Sequence, residues 1–181
     1  MKELSLHILD IVQNSVKAKA TEIVININEK PEENLLEITI KDNGCGMSEE
    51  LLARVKDPFS TTRTTRKVGM GISLFEAAAQ QCGGHLDITS EQGKGTTLYV
   101  CFELDNIDRA PLGDMAETMV TIIMSAPEIN YVYTHTRSDK EFVFDTKEIK
   151  ETLAGVPLTN PEILEWIHEF ISEGLESVNK F

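Results

Sequence analysis

Two short runs of strict alternation, "TEIVININ" and "LLEITIK", constrain this chain more than any other feature. Ile23, Ile25 and Ile27 share one side of the first run, and Leu36, Ile38 and Ile40 share one side of the second. A period of two places such residues on the buried face of a sheet, and the polar link "EKPEEN" between the runs predicts an antiparallel hairpin. The second run then breaks at "DNGCG" and restarts at "MSEE" as an acidic helix. Asn-Gly is a strong turn signal, so a turn accounts for the break by itself. Its neighbours along the chain suggest more.

Residues Glu3 to Ala18 read as a helix with an apolar stripe of Leu4, Ile8, Ile11, Val12 and Val16. His7, Asp10, Asn14 and Lys17 fall on its other side. Ser48 is a good N-cap for a short helix through Val55, with Glu49 and Glu50 where the helix dipole favours acids. After the polar "KDPFSTTRTTRK", Gly69 and Gly71 precede a helix expected from about Ile72 to Cys82, which Gly83 and Gly84 end. The strands "HLDITS" and "TTLYVCFEL" follow, joined by the tight turn "EQGKG". This order predicts an α+β fold, a two-layer sandwich with helices on one face of a mixed, mainly antiparallel sheet. Residues 1–104 are expected to form this domain and residues 105–181 a C-terminal α+β appendage. Within the latter, "RAPLGDMAETMVTIIM" reads as a helix, "INYVYTHTRSDKEFVFDT" as a hairpin, and "NPEILEWIHEFISEGLESV" as a helix capped by Asn160 with an apolar stripe of Ile163, Trp166, Ile167, Phe170 and Ile171. The appendage is expected either to dock on the sheet or to offer an aromatic edge to a partner.

Charge narrows the function. Seventeen Lys plus Arg against thirty Asp plus Glu give −13, which disfavours nucleic acid and acidic membranes as partners. No apolar run is long enough to span a membrane and the N-terminus has no secretory pattern, so a cytoplasmic location is expected. Cys45, Cys82 and Cys101 lack a Cys-x-x-Cys spacing and read as buried thiols.

A glycine-rich segment opening a helix suits a phosphate chain, because free N–H groups and the positive dipole end point the same way. "VGMG" alone is weak, being neither a Walker A loop nor G-x-G-x-x-G. Four elements nevertheless occur in one order: the polar helix face with Asn14, then "DNGCGM", "VGMGISL" and "GKGTT". This series resembles the GHKL (Bergerat-fold) ATPase superfamily, over about Met1 to Leu104, and most closely its histidine-kinase branch. The resemblance implies ATP or ADP with Mg²⁺ as cofactor. It implies that Asp42 accepts a hydrogen bond from the adenine amino group, with Gly44, Gly46 and Met47 around the base. Asn14 matches the magnesium-ligating asparagine and Lys17 a lysine beside the phosphates. Gly69, Met70 and Gly71 match the second glycine box, and Gly95 with Thr96 the terminal box. "DPFSTTRTTRK" resembles an ATP lid anchored by Phe59, with Thr61, Thr62, Arg63 and Arg66 near the phosphates.

Two departures qualify the resemblance. Four residues before the asparagine, hydrolytic and serine-kinase relatives carry Glu and histidine kinases Asn, whereas this chain has Asp10. Its carboxylate could orient or deprotonate an attacking water or hydroxyl, or sit as a helix-surface acid. The chain also opens on the ATP-domain motifs, with no phosphoacceptor helix before them, and His7 reads as a local structural residue. His85, His135 and His168 lack partners at metal spacing. The expected function is therefore an ATP-binding, histidine-kinase-like domain acting on a protein partner or phosphoacceptor in trans. The alternatives are a non-catalytic ATP/ADP-sensing module or an anti-sigma-type serine kinase, with a homodimer left open.

Overall fold

The alternating hairpin forms the middle of a sheet. In the computed structural model, which describes residues 3–57 and 66–180, β1 (Glu22–Lys30) pairs antiparallel with β2 (Leu35–Asp42), Ile25 opposite Ile40 and Ile27 opposite Ile38. A single 3-10 turn, Pro31–Glu33, and Asn34 at φ 53° close the hairpin. Two further strands, β3 (Leu86–Glu91) and β4 (Gly95–Glu103), pair antiparallel with each other, and β4 also pairs with β2. The last two, β5 (Asn130–Arg137) and β6 (Lys140–Asp145), complete a six-stranded sheet in the order β3-β4-β2-β1-β5-β6.

The helices are α1 (Leu4–Lys17), α2 (Glu49–Lys56), α3 (Arg66–Gln81), α4 (Met115–Ser125), α5 (Thr146–Leu153) and α6 (Pro161–Asn179). Leu4, Ile8, Ile11 and Val12 of α1, Phe75 and Ala79 of α3, and Met119, Ile122 and Ile123 of α4 are buried in one core with Ile23, Ile25, Ile27, Leu36, Ile38 and Ile40. Each fully buried Leu, Ile, Val, Phe or Met among them contributes about 1.5–3 kcal/mol. The alternate residues Asn26, Lys41, Asp87 and Thr89 are exposed, so the sandwich expected from the sequence is the one found.

The caps read from the sequence are present: Ser48 accepts from the Leu51 N–H and Asn160 from the Glu162 N–H. The N-terminus of α1 is closed differently, by the carbonyls of Pro111 and Leu112, which accept from the N–H groups of Leu4 and Ser5. That contact ties the segment before α4 to the start of the chain.

Residues 105–181 continue the sheet. The α4 crossover carries the chain from β4 to β5, which runs parallel to β1 with Tyr131 opposite Ile23 and Tyr133 opposite Ile25. Both tyrosines are fully buried. Tyr131 donates to the Ala126 carbonyl at 2.8 Å, which satisfies its hydroxyl inside the core. Three details depart from expectation. The eight-residue α5, capped by Asp145, follows β6 where no helix was read, since Ile149 and Leu153 are its only large apolar residues. The α6 stripe divides: Ile167 and Ile171 are fully buried, but Trp166 and Phe170 stay 48% and 38% exposed. Cys45 is exposed, whereas Cys82 and Cys101 are buried as expected.

Candidate functional site

The inward alternation of β2 runs Leu36, Ile38, Ile40, Asp42, so a carboxylate occupies the place of a fourth core residue. Burying it demands partners. Ser15 Oγ, on the inner face of α1, donates to Asp42 Oδ2 at 2.6 Å, and the Gly44 N–H donates to Oδ1 at 2.9 Å. An ionised carboxylate offers about four acceptor positions, and these bonds use two of them. Asp42 also lines a cavity of about 80 Å³ walled by Ile11, Ile40, Met47, Ile72, Ile88 and Leu98, with Asn14, Ser15 and Thr96 as further polar groups. A buried acceptor in an apolar cavity suits a ligand that brings its own donor.

The "DNGCG" loop is held from three sides. Asn43 Oδ1 accepts from the N–H groups of Thr21 and Glu22 at 2.8 and 2.9 Å. Cys45 donates its N–H to the Ala18 carbonyl, and its own carbonyl accepts from the Gly93 N–H. Ser90 Oγ accepts from the Met47 N–H and lies 2.8 Å from Thr96 Oγ1. Two glycines make this packing feasible. Gly46 has φ +68° and a Cβ there would overlap the Glu91 carbonyl; Gly95 has φ +128° and a Cβ would overlap the carbonyl of Asp42 itself. Gly95 is thus the backbone seat of the carboxylate-bearing residue, with Thr96 opposite Asp42 in the β2–β4 register.

Beyond Asn14 the slot gives way to a second cavity, of about 150 Å³, lined by Asp10, Gln13, Asn14, Lys17, Met70 and Gly71. Spacings of four and three along α1 bring Asp10, Asn14 and Lys17 to this one opening. A carboxylate, an amide oxygen and an ammonium in a row are chemically suited to a hard cation and a polyphosphate. Asn14 lines both cavities.

The second glycine box differs from the expectation. Gly69 and Gly71 lie inside α3, which begins at Arg66 and not near Ile72. Arg and Lys are good helix formers, and two glycines cost about 1 kcal/mol each, less than the burial of Ile72, Phe75 and Ala79 returns. Gly71 is the sixth helical residue, and its N–H is bonded along the helix rather than presented at a loop. Gly71 serves contact instead: a Cβ there would stand 3.4 Å from Asp10 Cβ and 3.7 Å from Asp10 Oδ2. Phe59, Thr61, Thr62 and Arg63 lie outside the described residues, and for Arg66 only the helical backbone is described.

His7 is a core residue, 3% exposed, its ring stacked on Phe75 at 4.8 Å and 3°. Burial lowers its pKa from the ordinary histidine value, so it is held neutral. The residue missed from sequence is Ser15. A polar side chain on the inward stripe of α1 was its available signal.

Among the described residues no helix is long and apolar enough to cross a membrane, and no group of three His, Cys, Asp or Glu is placed to hold a metal. The chain is 33% identical over 97 residues to the histidine protein kinase DivJ of Caulobacter vibrioides, covering 51% of this chain and 16% of that one. It is 39% identical over 84 residues to the sensor protein SrrB of Staphylococcus aureus, covering 44% and 14%, and 30% identical over 94 residues to sporulation kinase E of Bacillus subtilis, covering 51% and 12%. The match thus spans well under a fifth of each of these longer proteins. In structure, the chain resembles the N-terminal domain of a DNA repair protein, with TM-score 0.53 and 17% identity over 79% of this chain and 52% of that one, a likeness of fold. Residues 2–106, which contain the slot and the α1 opening, match the family described as histidine kinase-, DNA gyrase B- and HSP90-like ATPase, and the chain belongs to that family.

Proposed function

We propose that this chain binds ATP or ADP with Mg²⁺ through the slot at Asp42 and the opening at Asn14, and acts as a kinase-type ATPase domain toward a separate protein. The observation that carries the reading is the Asp42 carboxylate, buried, held by Ser15 and Gly44, and facing an apolar cavity with acceptor capacity left. Adenine presents an amino donor where guanine presents a carbonyl, so Asp42 would select the former by hydrogen bonding and repel the latter. Asn14 would supply one oxygen to Mg²⁺, whose remaining positions belong to phosphate and water, and Lys17 would pair with phosphate. Magnesium held there would offset part of the polyphosphate charge. Asp10, which lines the same opening, would orient an attacking hydroxyl or water. The kinase relatives favour transfer to a protein partner over simple hydrolysis.

Calorimetry with ADP and Mg²⁺ tests the reading. Wild type should bind, and Asp42→Asn should bind about a hundredfold less well or worse, with GDP similarly weak on wild type. Asn keeps one acceptor for the Gly44 N–H, so the melting temperature should change little. Unchanged affinity in Asp42→Asn overturns the assignment. Phosphate release by wild type and by Asp10→Asn then separates a turning-over domain from a nucleotide sensor.

A further inference from the structure

A trough lies at the far edge of the sheet from β3, between α5 and α6 and over β6. Its volume is about 470 Å³, larger than either cavity of the nucleotide site. Ile149 and Leu153 form one wall, Ile163, Trp166 and Phe170 the other, and Phe144 the floor. An aromatic series leads from core to solvent: Phe144 and Phe170 at 6.3 Å, then Phe170 and Trp166 stacked at 5.1 Å and 15°. Trp166 and Val143 are each 48% exposed. Leaving two aromatic rings and a β-branched side chain in water at one place is unfavourable unless something covers them.

The shape and charge of the trough say what fits. Ile163, Trp166 and Phe170 follow each other at i, i+3 and i+7 and define a straight wall about 10 Å long, the repeat that an amphipathic helix presents in return. The charged residues that line the trough, Asp145 and Glu148, are both acids. Helix α6 carries Glu162, Glu165, Glu169, Glu173 and Glu176 and neither Lys nor Arg. A second copy of this chain, at −13, would bring the same sign to the same place.

We infer that the α5–α6 trough is a docking site for an apolar helix of a partner protein whose flanks carry Lys or Arg. Leu or similar side chains of that helix fill the space against Trp166, Phe170 and Ile149. Its cations meet Glu148 and the acids of α6. The trough shares no residue with the Asp42 slot or the Asn14 opening, so the two sites are spatially distinct.

Trp166 is the one tryptophan of the chain, so its emission reports the trough directly. The probes are two 18-residue helical peptides of identical Leu pattern and no Trp, one with Lys and one with Glu at every polar position. The Lys peptide should shift Trp166 emission to the blue with saturable, salt-sensitive binding, and the Glu peptide should not. Ile149→Asp adds an acid while spoiling the apolar wall, so loss of the shift there marks the trough and not general attraction to an acidic surface. Glu148→Lys, an exposed change that leaves the core intact, should weaken the Lys peptide about tenfold. No response to either peptide overturns the proposal, as does an equal response to both. A blue shift that grows with protein concentration alone, with dimers in sedimentation, assigns the trough to a second copy and overturns it too. Calorimetry with ADP on the same two variants should match wild type, which keeps this test separate from that of the nucleotide site.

Discussion

Asp42 and Glu29 sit near opposite ends of the central hairpin, and both carboxylates are largely buried. Asp42, 8% exposed, has two neutral donors and a cavity in front of it. Glu29, its side chain 15% exposed, is engaged by His135 Nε2 at 3.0 Å and Arg137 Nη1 at 3.4 Å, and Tyr133 Oη lies 3.1 Å from the other nitrogen of His135. Burial alone would raise the pKa of Glu29. The hydrogen bond and charge of His135, joined by Arg137, hold it below the ordinary carboxylate value. One acid has charged partners and ties β1 to β5; the other has only neutral donors and faces a cavity.

The comparison can be broken most sharply at its backbone. Gly95→Ala should destabilise by about 3 kcal/mol or more, roughly 10 °C in melting midpoint for a chain of this size, because a Cβ meets the Asp42 carbonyl at a positive φ. A melting shift under about 2 °C would mean that β2 and β4 adjust freely and that Asp42 is not rigidly seated.

A smaller change separates the two acids by function. Ser15→Ala removes the 2.6 Å bond to Asp42 and should lower stability by about 1 kcal/mol while weakening ADP about tenfold. Equal ADP affinity in calorimetry would show that Asp42 needs no positioning from α1.

The smallest effect is expected at Glu29, the acid with charged partners. Glu29→Gln should cost about 1 kcal/mol at neutral pH and leave ADP affinity unchanged. The pH dependence has a definite sign. A carboxyl with a folded pKa below the unfolded 4.5 adds stability that is complete above 4.5 and is lost as pH falls from there through the folded value. Denaturant melts from pH 7 down to 3 should therefore show wild type and Glu29→Gln converging in acid. Parallel curves would remove Glu29 from the account, and a drop in ADP affinity would erase its contrast with Asp42.

Much of the nucleotide half was legible in the sequence because its signals are local. Alternation in the β1–β2 hairpin and Ser48 as a cap each act over a few residues, and the structure builds them as read. Ser15 was not legible in that way. Its partner lies 27 positions along the chain, and a serine in a helix is ordinary until the strand beneath it delivers a carboxylate. The start of α3 was misread for a related reason: glycine raises the local helical free energy by about 1 kcal/mol, while the packing that overrides it comes from Asp10 and the core.

The sequence by itself determined the two-layer class, the inward face of the β1–β2 hairpin, the apolar part of that of α1 without His7 and Ser15, and the motif series later matched by the family, all encoded in periods of two and 3.6 and in turn residues. Only the tertiary structure decided that β5 joins β1 in parallel and that Tyr131 and Tyr133 are core. Tertiary packing also left Trp166 and Phe170 partly in solvent beside the trough. Parallel pairing links residues about a hundred positions apart, and its register depends on which apolar faces remain to be covered once the local elements have formed. The α6 stripe is wider than the surface it meets, and no periodicity within one helix reveals how much of its apolar face the rest of the molecule will cover.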